Sequence, residues 1–413
     1  MLNKEQVISK IEEIYSLVIP FIENPHTTEY PISIFEGKPG AALFLYEYAQ
    51  YCPEKKEECY EYINKIMDEA FEYISKTPDI KTSYCDGIIG VLWLTQFFRN
   101  QRVLDMSCED IEVEILQQLS ELSIAQTVDQ TNCDFLHGGF GFWAFLLEFN
   151  DLPNKDRYIR EQLDALSKIT FNTEFGINWK IDLEIFQKDQ SNKVAIDTSK
   201  STHLGLAHGI SIIIILLAKT RLQGFYDLDT EIYLEKGMSH IRSLKFKEKL
   251  SFVYPMVVVN GTAEKAGRLA WCNGDLCVAQ AFWFAWKATQ DPLYKEEALQ
   301  IMSLAKTLDV KKAGALDAGL CHGTAGVAQL FRRFYWETYD EQYLKASDQW
   351  IAATLEMANY TDGYAGYKTY SSEAYGGPRV EYGFLSGICG IGTALLSSLS
   401  DTPSDWDRVL QIC

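Results

Sequence analysis

The sequence predicts an all-α fold, an α/α toroid (barrel) of seven helical-hairpin repeats with a small insertion near 171–203. Three observations predict it: a glycine-rich turn that recurs along the chain, a mostly apolar segment after each turn, and charged amphipathic segments between them. The chain has 413 residues, of which 47% are apolar. A chain this long needs either two cores or one large closed architecture. The repeats favour the second, a single domain over 1–413.

The repeat begins at a glycine turn and continues for about ten mostly apolar residues without proline. The seven turns begin at Gly37, Gly87, Gly138, Gly209, Gly274, Gly323 and Gly387. Successive turns lie roughly 50 to 70 residues apart, which is room for two helices and their connections. Each repeat is therefore predicted to be a helical hairpin.

Charge-rich amphipathic segments separate the turns, for example at 57–76, 110–122 and 293–308. A helix that is apolar on all sides is buried, whereas a helix with a charged face lies at the surface. The pattern predicts seven buried helices and seven outer helices. Because the first and last copies are as apolar as the middle ones, closure into a ring is expected. The glycine turns would then share one face, where we expect the functional residues.

The longest spacing between turns contains residues 171–203. Its partial alternation of apolar and polar residues suggests a small β-hairpin or a loop. Such an insertion near the mouth of the ring is a candidate lid over the substrate.

Composition narrows the classes of partner. Acidic residues outnumber basic ones by 57 to 38, which gives a net charge of −19. This charge argues against nucleic acid as a partner and against docking on an anionic membrane. The most apolar run, 210–218, is much shorter than the ~20 residues that cross a bilayer. The ten cysteines are too sparse for a disulfide-stapled secreted module, so a cytoplasmic location is expected.

Three turns carry a metal-capable side chain at or next to the position before the first glycine. These side chains are His208, Cys272, and the adjacent pair Cys321 and His322. Two thiolates and one imidazole suit Zn²⁺, and three protein ligands leave a fourth position open, as in catalytic zinc sites. Cys272, Cys321 and His322 are therefore predicted to bind one zinc ion per chain.

Other polar residues near the turns are candidates for proton transfer and for charge stabilisation. His208 is not needed for the metal set and could act as an acid or base. Asp134 lies among apolar residues, where an unpaired charge is costly, and is the best available partner for it. Arg268 could stabilise a developing anion or be a surface residue. Trp271 could form a wall of the site, and His137 could do the same or cap its turn.

The motifs LAHGI at 206–210, WCNG at 271–274 and CHG at 321–323, with the seven glycine turns, resemble the lanthionine synthetase C family. The resemblance spans nearly the whole chain. Within the family, the chain is similar to the stand-alone, class I-type lanthipeptide cyclases. It implies an α/α toroid. It also implies an enzyme that adds peptide cysteine thiols to dehydroalanine or dehydrobutyrine, forming (methyl)lanthionine thioether rings in bacterial lantibiotic maturation.

The resemblance also implies roles for individual residues. Zinc would be bound by the two cysteines and the histidine predicted above. His208 matches the proton-handling histidine of the family, Asp134 its site aspartate and Arg268 its site arginine. The chain departs from the family pattern at Asn273 and at 275–276, where Asp-Leu replaces the more usual Pro-Gly.

The implied partners are a dehydrated precursor peptide with its leader, a separate dehydratase and an exporter. Because the first repeat begins by Gly37, no dehydratase segment is expected in front of it. Two alternative functions stay open. One is a protein prenyltransferase-like thiol-alkylating enzyme, and the other is a zinc-dependent module that binds glutathione, another thiol or a peptide without cyclase activity. The latter would need the metal but not His208, Asp134 and Arg268.

Overall fold

The computed structural model describes residues 3–24, 31–104, 113–129, 134–181, 196–226, 228–248, 250–373 and 376–413. Most of these residues are helical. The α-helices in the described ranges are α1 (Lys4–Glu23), α2 (Lys38–Tyr51), α3 (Lys56–Lys76), α4 (Ile88–Asn100), α5 (Val113–Asp129), α6 (Phe140–Glu148), α7 (Lys155–Ile169), α8 (Ile210–Leu222), α9 (Leu228–Ser243), α10 (Asp275–Thr289), α11 (Pro292–Ala305), α12 (Val310–Ala313), α13 (Thr324–Thr338), α14 (Glu341–Glu356) and α15 (Ile388–Leu399).

Seven of the described helices begin directly after a glycine and are buried over most of their length. They are α2, α4, α6, α8, α10, α13 and α15. The prediction of seven glycine turns followed by seven buried helices is confirmed, with α6 beginning after Gly139 instead of Gly138. Glycine is needed where a turn packs back on its own helix: a Cβ on Gly326 would lie 1.9 Å from the carbonyl oxygen of Leu320. No helix among the described residues is long and apolar enough to cross a bilayer.

The chain forms two compact units, one of Met1–Ser107 with Ala315–Cys413 and one of Cys108–Gly314. In the first unit α2 packs against α3 and α13 against α14, as expected for helical hairpins. Helix α15 packs against α1, α2 and α13, so the first and last buried helices are neighbours. In the second unit the corresponding pairs are α6 with α7, α8 with α9, and α10 with α11, and α8 lies between α6 and α10.

The few strands of the described residues lie in the second unit. They are β1 (Thr170–Thr173), β2 (Gly176–Trp179), β3 (Thr202–His203), β4 (Val257–Val259) and β5 (Thr262–Ala263). Strands β1 and β2 form an antiparallel hairpin in which Thr170 is opposite Trp179. The order of the other sheet is β3-β4-β5. The hairpin packs on α9 through β2 and lies where the sequence suggested an insertion. Residues 182–195 of that insertion are outside the described ranges, and its role as a lid stays a prediction.

Candidate functional site

The turn that bears Cys272 has a backbone that only glycine permits at one position. Gly274 has φ +98°, and a Cβ there would lie 2.1 Å from the carbonyl oxygen of Arg268. Cys272 itself is half-buried. Its carbonyl oxygen accepts hydrogen bonds from the amides of Leu206 and Ala207, at 2.9 and 3.1 Å. Because His208 directly follows Ala207, these bonds fix the turn of Cys272 to the turn that bears His208.

His208 forms a pair with Asp134. Its Nδ1 lies 3.0 Å from Oδ2 of Asp134, and Oδ1 of the same carboxylate accepts the amide of His137 at 2.6 Å. Burial raises the pKa of Asp134, but the hydrogen bond and charge of His208 outweigh burial and bring that pKa below its ordinary value. An ionised carboxylate at this position favours the tautomer with the hydrogen on Nδ1 of His208, which leaves Nε2 as the ring nitrogen that could exchange a proton.

Three other predicted site residues, His137, Trp271 and Arg268, also belong to the second unit. The ring of His137 is nearly parallel to that of His208, with 6.1 Å between centroids. Trp271 is buried and meets Phe135 edge-on at 6.5 Å. Arg268 is half-buried, and its neighbour Leu269 donates its amide to the carbonyl oxygen of Ala313. The geometry thus shows the contacts of these residues, while their functional roles stay predictions.

The structure gives contacts for two further residues of the second unit. The sequence analysis did not identify His203, and it noted Asp275 for a different reason. His203 is fully buried, and burial, with the charges of His208 and Arg268, lowers its pKa to about 3. It is therefore neutral, and its Nδ1 accepts the amide of Gly205. Asp275, noted only as a departure from the family motif, accepts the amides of Val253 and Tyr254 and so attaches that loop to the start of α10.

The turn that bears Cys321 and His322 lies in the first unit. The amides of Leu320 and Cys321 both donate to the carbonyl oxygen of Leu385, at 2.9 Å each. Cys321 and His322 are half-buried. Nε2 of His322 lies 3.2 Å from Oδ2 of Asp317. Burial raises the pKa of Asp317, but the hydrogen bond and charge of His322 outweigh burial and lower it below its ordinary value.

The metal-capable side chains fit the chemistry of zinc. Cysteine and histidine groups that could hold a metal ion are present in the described part of the chain. A ligating histidine usually donates its other ring N–H to a carboxylate, and the carboxylate of Asp317 lies 3.2 Å from Nε2 of His322. Two other cysteines, Cys277 and Cys389, are fully buried, and burial raises the pKa of both thiols.

Comparisons with known proteins agree with this arrangement of helices and turns. The family described as Lanthionine synthetase C-like protein matches residues 9–411. The solved structure of nisin cyclase aligns with a TM-score of 0.74 over 97% of this chain and 97% of that chain, at 17% identity. This similarity shows the fold, an α/α toroid, and confirms the predicted fold class.

Two further solved structures align less well. D-mannose isomerase has a TM-score of 0.38 at 12% identity, over 57% of this chain and 58% of that chain. Cellobiose 2-epimerase from Bacillus thermoamylovorans B4167 has a TM-score of 0.44 at 13% identity, over 95% and 99%. Curated protein sequences give no match. The match over nearly the whole sequence shows that the chain belongs to the lanthionine synthetase C-like family.

Proposed function

We propose that this protein is a zinc-dependent peptide cyclase that forms (methyl)lanthionine rings by adding peptide cysteine thiols to dehydroalanine or dehydrobutyrine. The observation that carries the proposal is the His208–Asp134 pair, held by backbone hydrogen bonds beside the turn of Cys272 in a chain of this family. A module that only binds thiols needs metal ligands but has no use for an oriented acid or base.

Cys272, Cys321 and His322 are the proposed zinc ligands. Their donor types fit the metal, and the carboxylate beside His322 fits the usual surroundings of a ligating imidazole. When bound, zinc would supply a Lewis acid that lowers the pKa of a substrate thiol, so that the thiol ionises near neutral pH.

The chain's own residues would carry out the rest of the reaction. The substrate sulfur forms a C–S bond to the β-carbon, and the π electrons of the alkene move to the neighbouring carbonyl as an enolate. Arg268 would stabilise that negative charge. His208, oriented by Asp134, would deliver a proton to the α-carbon. The proton gained by carbon balances the proton lost by the thiol, so no other reactant is needed.

The proposal extends to the substrate and to partners. The substrate would be a leader-bearing precursor peptide, already dehydrated by a separate dehydratase and later moved by an exporter. Residues 1–413 would act as one domain in the cytoplasm, with 171–203 as a lid.

The test measures zinc content and thiol consumption together. We expect about one zinc per chain in the wild type by elemental analysis, and loss of free thiols from a dehydrated, cysteine-containing peptide. Cys321→Ala should lose both properties. Cys52→Ala, which removes another half-buried cysteine, should keep both.

Two results would count against the proposal. Absence of zinc from the wild type would remove the metal-dependent mechanism. Bound zinc without thiol consumption, in a folded protein supplied with a dehydrated peptide, would favour the thiol-binding module instead.

A further inference from the structure

Asp317 is a buried aspartate that the proposed mechanism does not use. It is 5% exposed and lies five residues before His322, outside the glycine turn. Its Oδ2 is 3.2 Å from Nε2 of His322. Burying a carboxylate costs free energy unless the group is hydrogen-bonded and paired with a charge. Asp317 is therefore expected to have hydrogen-bond donors around it.

The carboxylate is held in place by the backbone independently of the histidine. Oδ1 accepts the amide of Gly319 at 3.0 Å, and Oδ2 accepts the amide of Tyr370 at 2.9 Å. A Cβ on Gly323 would lie 2.4 Å from Oδ1, so a side chain there would displace the carboxylate. The orientation of Asp317 is therefore fixed before His322 contributes to it.

A carboxylate that already accepts backbone amides at both oxygens acts towards His322 as an acceptor. At 3.2 Å such an acceptor favours the neutral tautomer in which Nε2 of His322 carries the hydrogen and Nδ1 carries the lone pair. Only a ring nitrogen with a lone pair can bind a metal ion. Asp134 favours the opposite tautomer in its own histidine. It contacts Nδ1 of His208 and leaves Nε2 for proton transfer.

We propose that Asp317 is a positioning residue that holds His322 with its hydrogen on Nε2, so that Nδ1 is the nitrogen presented to zinc. The inference rests on the proposed function, because it takes His322 to be a zinc ligand. It adds a residue of this chain that sets which nitrogen binds and how strongly.

The first test is Asp317→Asn, which has nearly the same shape. Its amide can present an N–H to Nε2 and so favour the tautomer with the hydrogen on Nδ1. We expect zinc affinity, measured by competition with a chromophoric chelator, to fall by about 10- to 100-fold. Asp317→Glu, which keeps a carboxylate acceptor, should recover part of that loss.

The second test reads the tautomer directly. Long-range ¹H–¹⁵N spectra of histidine-labelled, metal-free protein should show His322 protonated on Nε2, assigned by comparison with His322→Gln among the six histidines. Asp134→Asn is the matched control: it should alter the signals of His208 and leave zinc affinity within about twofold, because its carboxylate contacts no proposed ligand.

The outcomes separate this inference from the proposed function. A wild type that binds no zinc contradicts the proposed function. Wild-type zinc affinity in a folded Asp317→Asn protein, or an Nδ1–H tautomer of His322 in the wild type, overturns the role of Asp317 alone. If the Asn variant fails to fold, as judged by circular dichroism, the tautomer of the wild type still decides.

Discussion

At the scale of single residues, two aspartates hold two histidines by opposite ring nitrogens. Asp134 contacts Nδ1 of His208, and Asp317 contacts Nε2 of His322. Because the nitrogen that donates to a carboxylate cannot at the same time offer a lone pair, each aspartate determines which nitrogen is chemically available. The same pair of residue types can thus serve proton transfer in one turn and metal binding in another.

Asp134→Asn tests the proton-transfer half of this contrast. The variant loses the charge that stabilises the correctly oriented imidazole of His208, so the rate of ring formation should fall by about 100-fold or more. Mass spectrometry of thiol-capped peptide products, followed over time, measures that rate. A rate within about twofold of the wild type would show that His208 needs no such partner.

The pH dependence of stability gives a second reading of the same variant. The pKa of Asp134 is lower in the folded chain than its ordinary value, so its ionised form contributes stability above the unfolded pKa of about 3.9. That contribution is lost as pH falls through the folded pKa. The difference in free energy of unfolding between wild type and variant should therefore be full near pH 6 and shrink below about pH 4. Denaturant titrations at several pH values would measure it.

At the scale of turns and helices, one hydrogen-bond pattern recurs. Two successive amides of one glycine turn donate to a single carbonyl oxygen of another: 206–207 to Cys272, 320–321 to Leu385, and 384–385 to Phe35. The pattern fixes the backbone at Cys272, at Cys321 and directly before His208. Function can therefore depend on side chains that project from these turns without requiring long, separately ordered loops.

A buried ion pair beside the C-terminal turn Trp406–Leu410 supports the helices of the first unit. Asp407 is 0% exposed and accepts hydrogen bonds from Nε and Nη2 of Arg333 on α13 and from the side-chain Nε2 of Gln329. Asp407→Ala leaves the buried guanidinium without its carboxylate, so we expect the free energy of unfolding to fall by about 3–5 kcal/mol. Urea denaturation followed by circular dichroism provides the measurement.

An exposed ion pair is the comparison for that variant. Glu72 and Lys76 lie on α3 with side chains 64% and 69% exposed. Glu72→Ala should leave the free energy of unfolding essentially unchanged, because water screens such pairs. Equal losses in the two variants would contradict the role assigned to burial.

At the scale of the whole molecule, the sequence was sufficient for the fold because the same physical pattern occurs seven times. In each repeat an apolar helix follows a glycine. An error of one residue in a single boundary, as at Gly138, therefore does not alter the predicted fold. The contact between Asp134 and His208 agrees with the pairing suggested from the sequence, because each residue lies shortly before a glycine turn; their functional roles stay predictions. The orientation of Asp317 could not be predicted from the sequence, because it depends on a hydrogen bond from the amide of Tyr370, which is distant in sequence. Asp275 looked like a departure from the motif until its contacts with 253–254 were known.

If the proposed ligands bind zinc, its removal should lower the free energy of unfolding of the whole chain. A ligand that binds only the folded state adds RT ln(1 + [Zn²⁺]/Kd) to the free energy of unfolding, about 4 kcal/mol when free zinc is 1,000-fold above Kd. Denaturant titrations in buffered zinc and in excess chelator should differ by that amount in the wild type. Cys321→Ala should give nearly superimposable curves in the two conditions, because the variant lacks one proposed ligand. A chelator effect of equal size in both proteins would place the stabilising metal elsewhere in the chain and leave Cys321 without the role proposed for it.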